Sequence, residues 1–335
     1  MKKTLVIVTL LMLVVGIIAG CGGKDAAAPG KSGANATKSD YPNKPITIII
    51  GYAAGGGTDL GARVLIPYLE KELGVPIVIE NKPGASAWIA YSEVLKAKPD
   101  GYTLGYLNTP SLVFGELNPA NKRPNFESFD YIANHVVDPA VIAVRADDNR
   151  FSNAKDLVEY AKNNEMTATT NGVGSSNHIA ILTLNDKMGI KIKSVHFGGT
   201  GEALTSVLGG HVDILICKVG EILEPLKDGQ FKVLAVATKD RVKQLPNVPT
   251  FKEATGSEVI NYTTRGLGAP KGLDPQVLAK LQTAVVKAMQ NPEHIQKMEK
   301  MGFVVDSRKG DEYKKLVAEE EKSLAAVAKL LGWKK

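Results

Sequence analysis

Three glycine-rich turns are the segments of this 335-residue chain whose residue types and spacing best suit chemistry. The first, Gly51-Tyr-Ala-Ala-Gly-Gly-Gly-Thr-Asp59, follows the β-branched run Ile46–Ile50 and precedes an amphipathic stretch. Glycines carry no Cβ to block a ligand, so amides at Ala54, Gly55 and Gly56 can turn inward at a helix N-terminus that bears about half a positive charge. The chemistry this offers is the capture of an anion. The same residues also fit a plain tight turn in which Thr58 or Asp59 caps the helix, and the segment alone does not separate the two readings. A second turn, Thr170-Asn-Gly-Val-Gly-Ser-Ser-Asn-His178, again lies between a strand-like and a helix-like stretch and brings hydroxyl donors from Ser175 and Ser176 beside Gly174. The third, Phe197-Gly-Gly-Thr-Gly201, places Gly198 and Thr200 where they can line the same opening. None ends in the Gly-Lys-Ser/Thr of a P-loop or has the G-x-G-x-x-G spacing of a Rossmann turn, so no nucleotide cofactor is implied.

Enzyme chemistry finds little support. The histidines at 135, 178, 196, 211 and 294 form no H-E-x-x-H and no paired metal-ligand spacing, and no G-x-S-x-G elbow is present. Ser175, Ser176 and His178 sit too close in sequence for a nucleophile and its base, around a helix start where hydroxyls cap and the histidine packs. We therefore expect no catalytic residue, no metal and no cofactor. Cys217 ends the apolar run Val212-Asp-Ile-Leu-Ile-Cys217 and reads as an inert buried thiol.

The elements that must position these turns alternate. Ile46–Ile50, Ile77–Glu80 and Thr103–Leu107 read as strands, with helices over Asp59–Leu73 and Trp88–Ala97 between them. A second series follows, with helices at Asp156–Asn163, Ile179–Met188, Glu202–Leu208 and Glu221–Lys227 among extended runs at Thr167–Thr170, Ile192–Phe197, Val212–Cys217 and Val233–Ala237. Two βα series predict two α/β lobes, each on an open, largely parallel sheet. The extended stretch Tyr131–Arg145 is the expected first crossing between them, and the turn-rich stretch Leu245–Gly256 precedes a second. Helices at Pro275–Gln290, Pro292–Met301 and Asp311–Leu331 are expected to pack back on the first lobe. The expected boundaries are 41–137 with 258–335 for lobe 1 and 138–257 for lobe 2.

Ahead of the folded part stand Lys2 and Lys3, an apolar run Leu5–Val15 and Ile18-Ala19-Gly20-Cys21. This is the form of a signal peptide over residues 1–20, and the cysteine after the small residues makes it a lipoprotein signal, with Cys21 carrying diacylglycerol after cleavage. The alternative, an uncleaved membrane anchor, needs about 20 apolar residues, more than this run supplies. Residues 21–40, rich in Gly, Ala, Lys and Ser, lack the apolar surface to order themselves and read as a tether reaching about 25 Å. The formal charge of +6 includes Lys2 and Lys3; the remainder is spread over both signs, which gives a solvated surface and no nucleic-acid stripe.

Taken with Tyr41-Pro-Asn-Lys-Pro-Ile46, Glu80-Asn-Lys-Pro-Gly-Ala85, Pro99-Asp-Gly-Tyr-Thr-Leu104 and Leu245-Pro-Asn-Val-Pro-Thr-Phe251, the three turns resemble the tripartite tricarboxylate transporter receptors, the TctC or Bug family. The resemblance runs from Tyr41 to about Phe303. It implies a type II periplasmic-binding-protein fold whose lobes close on a small carboxylated solute (a di- or tricarboxylate, amino acid or aromatic acid). It also implies a monomeric, lipid-anchored extracytoplasmic receptor, in a periplasm or on the outer face of the cell membrane. Its partners would be the membrane permease subunits of a sodium- or proton-coupled transporter. By the same resemblance Ala54, Gly55, Gly56, Thr58 and Asp59 face Gly174, Ser175, Ser176 and His178 across the ligand carboxylate. A carboxylate-sensing receptor without transport, or a secreted hydrolase, is the alternative. The sequence departs from the family pattern at Ser86-Ala87-Trp88, where Gly-Gly-Asn is common, at Gly201, where proline is frequent, and at Arg265. Trp88 either flanks the ligand or seats its helix, the reading favoured by the area an aromatic buries. Arg265 either clamps a distal carboxylate or follows the commoner fate of an arginine, a solvated surface.

Overall fold

β-branched residues and glycine-bounded amphipathic runs fall into the elements their patterns predict, with ends displaced by up to three residues. The computed structural model describes residues 40–115, 117, 123–331 and 333; Cys21, the predicted signal and the predicted tether up to residue 39 lie outside them. The strands are β1 Ile46–Ile50, β2 Ile77–Asn81, β3 Thr103–Asn108, β4 Phe129–Arg145 and β5 Met166–Thr170. They continue as β6 Ile192–His196, β7 Leu215–Lys218, β8 Phe231–Val236, β9 Tyr262–Pro270 and β10 Val304–Val305. The helices are α1 Gly57–Leu73, α2 Trp88–Lys96, α3 Ser111–Phe114, α4 Ala154–Asn163, α5 Ser176–Met188 and α6 Thr200–Leu208. After them come α7 Val219–Lys227, α8 Phe251–Thr255, α9 Pro275–Met289, α10 Pro292–Lys300 and α11 Gly310–Leu330.

The long crossing expected over Tyr131–Arg145 is β4, and it joins the two α/β lobes. Its first half pairs antiparallel with β9 and β10, and its second half, Ala140–Arg145, pairs antiparallel with β7 and β8. The second crossing is β9, which runs beside β4 from Phe129↔Pro270 to Pro139↔Tyr262 and then pairs with β3. Among the described strands β1 pairs in parallel with β2 and β3, and β5 with β6, and single parallel bridges join Ala168 to Ile214 and Val236 to Thr250. The sheet is therefore less parallel than predicted, because both crossings enter it as strands.

Alternation along β4 shows how one strand serves two cores. Ala140, Ile142 and Val144 lie in one apolar cluster with Phe151, Leu157, Leu184 and Ile192, while Val141 and Ala143 lie in another with Val207, Leu215, Cys217 and Phe231. Successive side chains of a strand face opposite ways, so the period of two divides the residues between the faces. A third core draws on Tyr41 to Ala133 and returns with Leu267 to Ala328, so α9 and α11 pack where predicted. No described helix is long and apolar enough to cross a membrane.

Candidate functional site

A polar cleft opens where strands end and helices begin. Its wall takes Tyr52 after β1, Asn108, Thr109 and Ser111 at and after the end of β3, Asn171 after β5, Gly199 and Thr200 after β6, and Lys218 and Glu221 at and after the end of β7. In open α/β sheets the carboxyl ends of strands are where ligands bind, because helix N-termini converge there with unpaired amides. The free volume of the cleft is about 20 Å³, enough for a water molecule or two.

At the first turn Gly56, Gly57 and Thr58 line the cleft. Gly56 caps α1 without any side-chain bond, and Thr58 Oγ1 accepts from Asn108 Nδ2 at 2.8 Å. Asp59 turns back instead: it accepts from Gly55 N–H at 3.0 Å, Arg63 Nε at 2.8 Å and Asn81 Nδ2 at 3.0 Å. Burial raises its pKa, but the bonds from Arg63, Gly55 and Asn81 outweigh that and hold the carboxyl below its usual range. Asp59 thus braces the turn, with Gly55 in the left-handed region at φ +78°. Neither residue, nor Ala54, is in the cleft wall.

At the second turn Ser175 and Ser176 line the cleft, while Gly174 and His178 stand behind it. Ser175 caps α5 by accepting from His178 N–H at 3.3 Å, and His178 Nδ1 accepts from Gly174 N–H at 3.1 Å. Burial, with His196 nearby, pushes His178 down to about 4, so its imidazole is neutral near pH 7. These side chains hold the turn and form no nucleophile–base pair. Thr200 lines the cleft at the third turn, whereas Gly198 donates to Glu202 at 3.1 Å and accepts from Ala53 N–H at 3.4 Å. Trp88 lies outside the wall, 3% exposed, donating from Nε1 to Ser111 O at 3.1 Å and meeting Tyr91 edge to face. It seats α2.

Arg265 is the main correction to the sequence reading. It is 2% exposed and not a solvated surface arginine. Nη1 meets Asp138 Oδ2 at 2.5 Å and Nη2 reaches Glu221 Oε1 at 3.5 Å. Burial lowers its pKa, and Asp138 and Glu221 more than reverse that; Asp138 is raised by the same burial. Beside them Lys218, also buried, gives Nζ to Asn261 Oδ1 at 3.1 Å, and burial pushes it down to about 8. Glu221 does more than pair. Its Oε2 accepts from Lys218 N–H at 2.9 Å at the start of α7, and its Oε1 accepts from Gly57 N–H at 3.3 Å at the start of α1. One carboxylate therefore bridges two helix N-termini, one from each series of elements.

The sequence reading took in Gly57 as part of the first turn but overlooked Tyr52, Asn108, Thr109, Ser111, Asn171, Asn177, Gly199, Lys218, Glu221 and Thr263 as wall residues. Lys218-Val-Gly-Glu221 carried a usable signal, since a glutamate at the third residue of a helix can accept from the backbone amide of the residue that begins it. Asn108, Thr109 and Ser111 carried only their place after a strand. Among the described residues no cluster of His, Cys, Asp and Glu could hold a metal ion.

Two α/β lobes joined by crossing strands, with a polar cleft between strand ends, define a solute-binding receptor of the periplasmic-binding-protein fold. The model of the tripartite tricarboxylate transporter family receptor, TctC, matches residues 62–332. The chain belongs to that family, whose members are solute receptors and not enzymes. It is 31% identical to a UPF0065 protein of Cupriavidus necator, over 89% of this chain and 91% of that protein. Among solved structures it is similar to the periplasmic binding protein BugD (29% identity, TM-score 0.80, 88% of this chain and 100% of that one). It is also similar to MatC of Rhodopseudomonas palustris with bound malate (27% identity, TM-score 0.81, 86% and 100%).

Proposed function

We propose that this receptor captures a small carboxylated solute outside the cytoplasm and delivers it to the permease subunits of a tripartite tricarboxylate-type transporter. A diacylglycerol on Cys21 anchors it, and the tether gives the folded part reach. Lobe 1 comprises 41–137 and 258–335 and lobe 2 comprises 138–257, with the carboxylate taken between them by the amides and hydroxyls of the first two turns. The observation that carries this reading is the convergence of the N-termini of α1, α5 and α6 on one polar cleft, at Gly57, Ser176 and Thr200. Amides and helix dipoles of this kind favour an anion. The likeness to MatC, which holds malate, supports a carboxylate as that anion, and the likeness to BugD supports a place outside the cytoplasm.

A thermal-shift screen of the purified protein against small carboxylic acids tests this reading. Ligand at a hundred times its Kd adds about 2.7 kcal/mol to stability, a rise in Tm of several degrees for a chain of this size. Silence across di-, tri- and monocarboxylates and amino acids would remove the reading. Anchoring has its own test: Cys21→Ser should accumulate as an unlipidated precursor of higher mass, and normal acylation of that variant would contradict it.

A further inference from the structure

Beside the cleft, and sharing Gly57, Thr200 and Glu221 with it, lies a second cavity of about 260 Å³. Its apolar wall is Leu60, Leu204, Leu223, Pro225 and Met301. A dry apolar cavity of about 150 Å³ is enough for a benzene ring, so this one has room for a branched aliphatic or aromatic side chain. The formal charges around the cleft cancel, Lys218 and Arg265 against Asp138 and Glu221, which suits a solute of no net charge better than one with two carboxylates. Polar groups there want something else. Asn108 Oδ1 and Asn171 Oδ1 are buried acceptors without a partner, one in each lobe, and Arg265 Nε is a buried donor without one. Buried polar atoms are nearly always paired in native proteins, so orphans around a cleft describe the ligand that completes them.

We infer that the solute is an α-amino acid with an apolar side chain, an inference that rests on the carboxylate-capture reading above and narrows it. The carboxylate lies at the helix N-termini. The ammonium donates to Asn108, Asn171 and the Glu221 carboxylate, three acceptors that a dicarboxylic acid would leave unpaired or repel. The side chain enters the second cavity past Glu221, whose bond to Gly57 N–H yields when the solute arrives.

Calorimetry of the full-length protein in detergent, with alanine, valine, leucine, 4-methylpentanoate, succinate and isoamylamine, tests each part. Burial of a methylene is worth about fourfold in affinity, so leucine should exceed alanine by roughly fiftyfold. Leucine should also exceed 4-methylpentanoate and succinate by at least about tenfold, the worth of a charge-assisted hydrogen bond. Glu221→Gln should narrow the gap between leucine and 4-methylpentanoate. Leu223→Phe and Leu204→Gln, each checked for an unchanged melt, should erase the advantage of leucine over alanine. Succinate binding as tightly as leucine, or alanine matching leucine in the wild type, overturns the inference while carboxylate capture stands. Unchanged discrimination in both leucine variants overturns the cavity assignment. Binding of isoamylamine alone, with every acid silent, overturns carboxylate capture itself.

Discussion

Arg265 shows how burial turns a surface-type residue into a structural one. Its guanidinium neutralises Asp138, which is 0% exposed, and removing one partner of a buried pair leaves a charge with nothing to offset it. Arg265→Ala should cost about 3–5 kcal/mol of stability, read as a fall in the urea midpoint. Loss of less than about 1 kcal/mol, the value of an exposed pair, would mean that the pairing is weaker than its geometry. Glu320 on α11 makes a second case. It is 7% exposed, its Oε1 has no partner, and burial pushes its carboxyl up to about 8, against the pull of Thr109, Arg308 and Tyr262. A carboxyl whose folded pKa is raised favours folding below its unfolded value and withdraws that contribution as pH climbs from about 4.5 towards about 8. Glu320→Gln should match the wild type near pH 4 and exceed it by up to about 5 kcal/mol near pH 9, a difference that denaturant melts at both pH values would measure. The histidines act at the other end. His135, His178 and His294 have lowered pKa values through burial, so the stability they confer above the ordinary histidine range is lost as pH falls.

At the scale of elements, the α1 turn holds the cleanest probe of the cleft. A Cβ on Gly57 would stand 2.6 Å from Glu221 Oε1 and 3.1 Å from Arg265 Nη2, so it points at the cleft. Gly174 is a poorer probe, because its φ of +81° and a Cβ 2.6 Å from Phe114 would disturb the turn itself. Gly57→Val should lower affinity for the solute at least about tenfold, with a circular dichroism spectrum like the wild type, since it displaces the carboxylate from several donors at once. Wild-type affinity in that folded variant would place the site elsewhere. The turn that leads into α2 is a second feature at this scale. Ala85, Ser86 and Ala87 have φ of 48°, 54° and 75°, a left-handed run without a glycine. Each such residue costs about 1–2 kcal/mol, part of which glycine would return to the unfolded chain as entropy. Elements were legible in the sequence because β1 is four isoleucines and a threonine, and α5 follows two serines able to cap it. The cleft was only partly legible: glycine turns announce themselves, but Glu221 and Asn108 reach the site through tertiary packing. Arg265 misled because nothing near it in sequence pairs with it, Asp138 being 127 residues away.

On the scale of the molecule, the cleft is held shut by few bonds and hinged on few strands. Across it run Gly57 N–H to Glu221 at 3.3 Å, Ala53 N–H to Gly198 O at 3.4 Å and Ser86 Oγ to Val173 O at 2.6 Å, together with Arg265 Nη2 to Glu221 Oε1 at 3.5 Å and the Ser176 and Thr263 hydroxyls 2.7 Å apart. Behind it the lobes are joined by β4 and β9, whose paired register shifts at Tyr131/Ala133 and Asn134/Val136. Such irregularities bend a strand locally and leave the ladder on either side intact. A free volume of about 20 Å³ admits no amino acid or dicarboxylate, so the solute must enter an opened form and close it again. Hydrogen bonds of this kind are worth about 0.5–1.5 kcal/mol each, and in an opened form water can pair the same groups, so opening does not forfeit them outright. Small-angle scattering should therefore show a larger radius of gyration for the free receptor than for the receptor saturated with its solute. Ser86→Ala, which removes the shortest of these bonds, should increase the free radius further and leave the saturated one unchanged. An identical radius in all four samples would mean a rigid pocket, and with it a solute small enough to enter without parting the lobes.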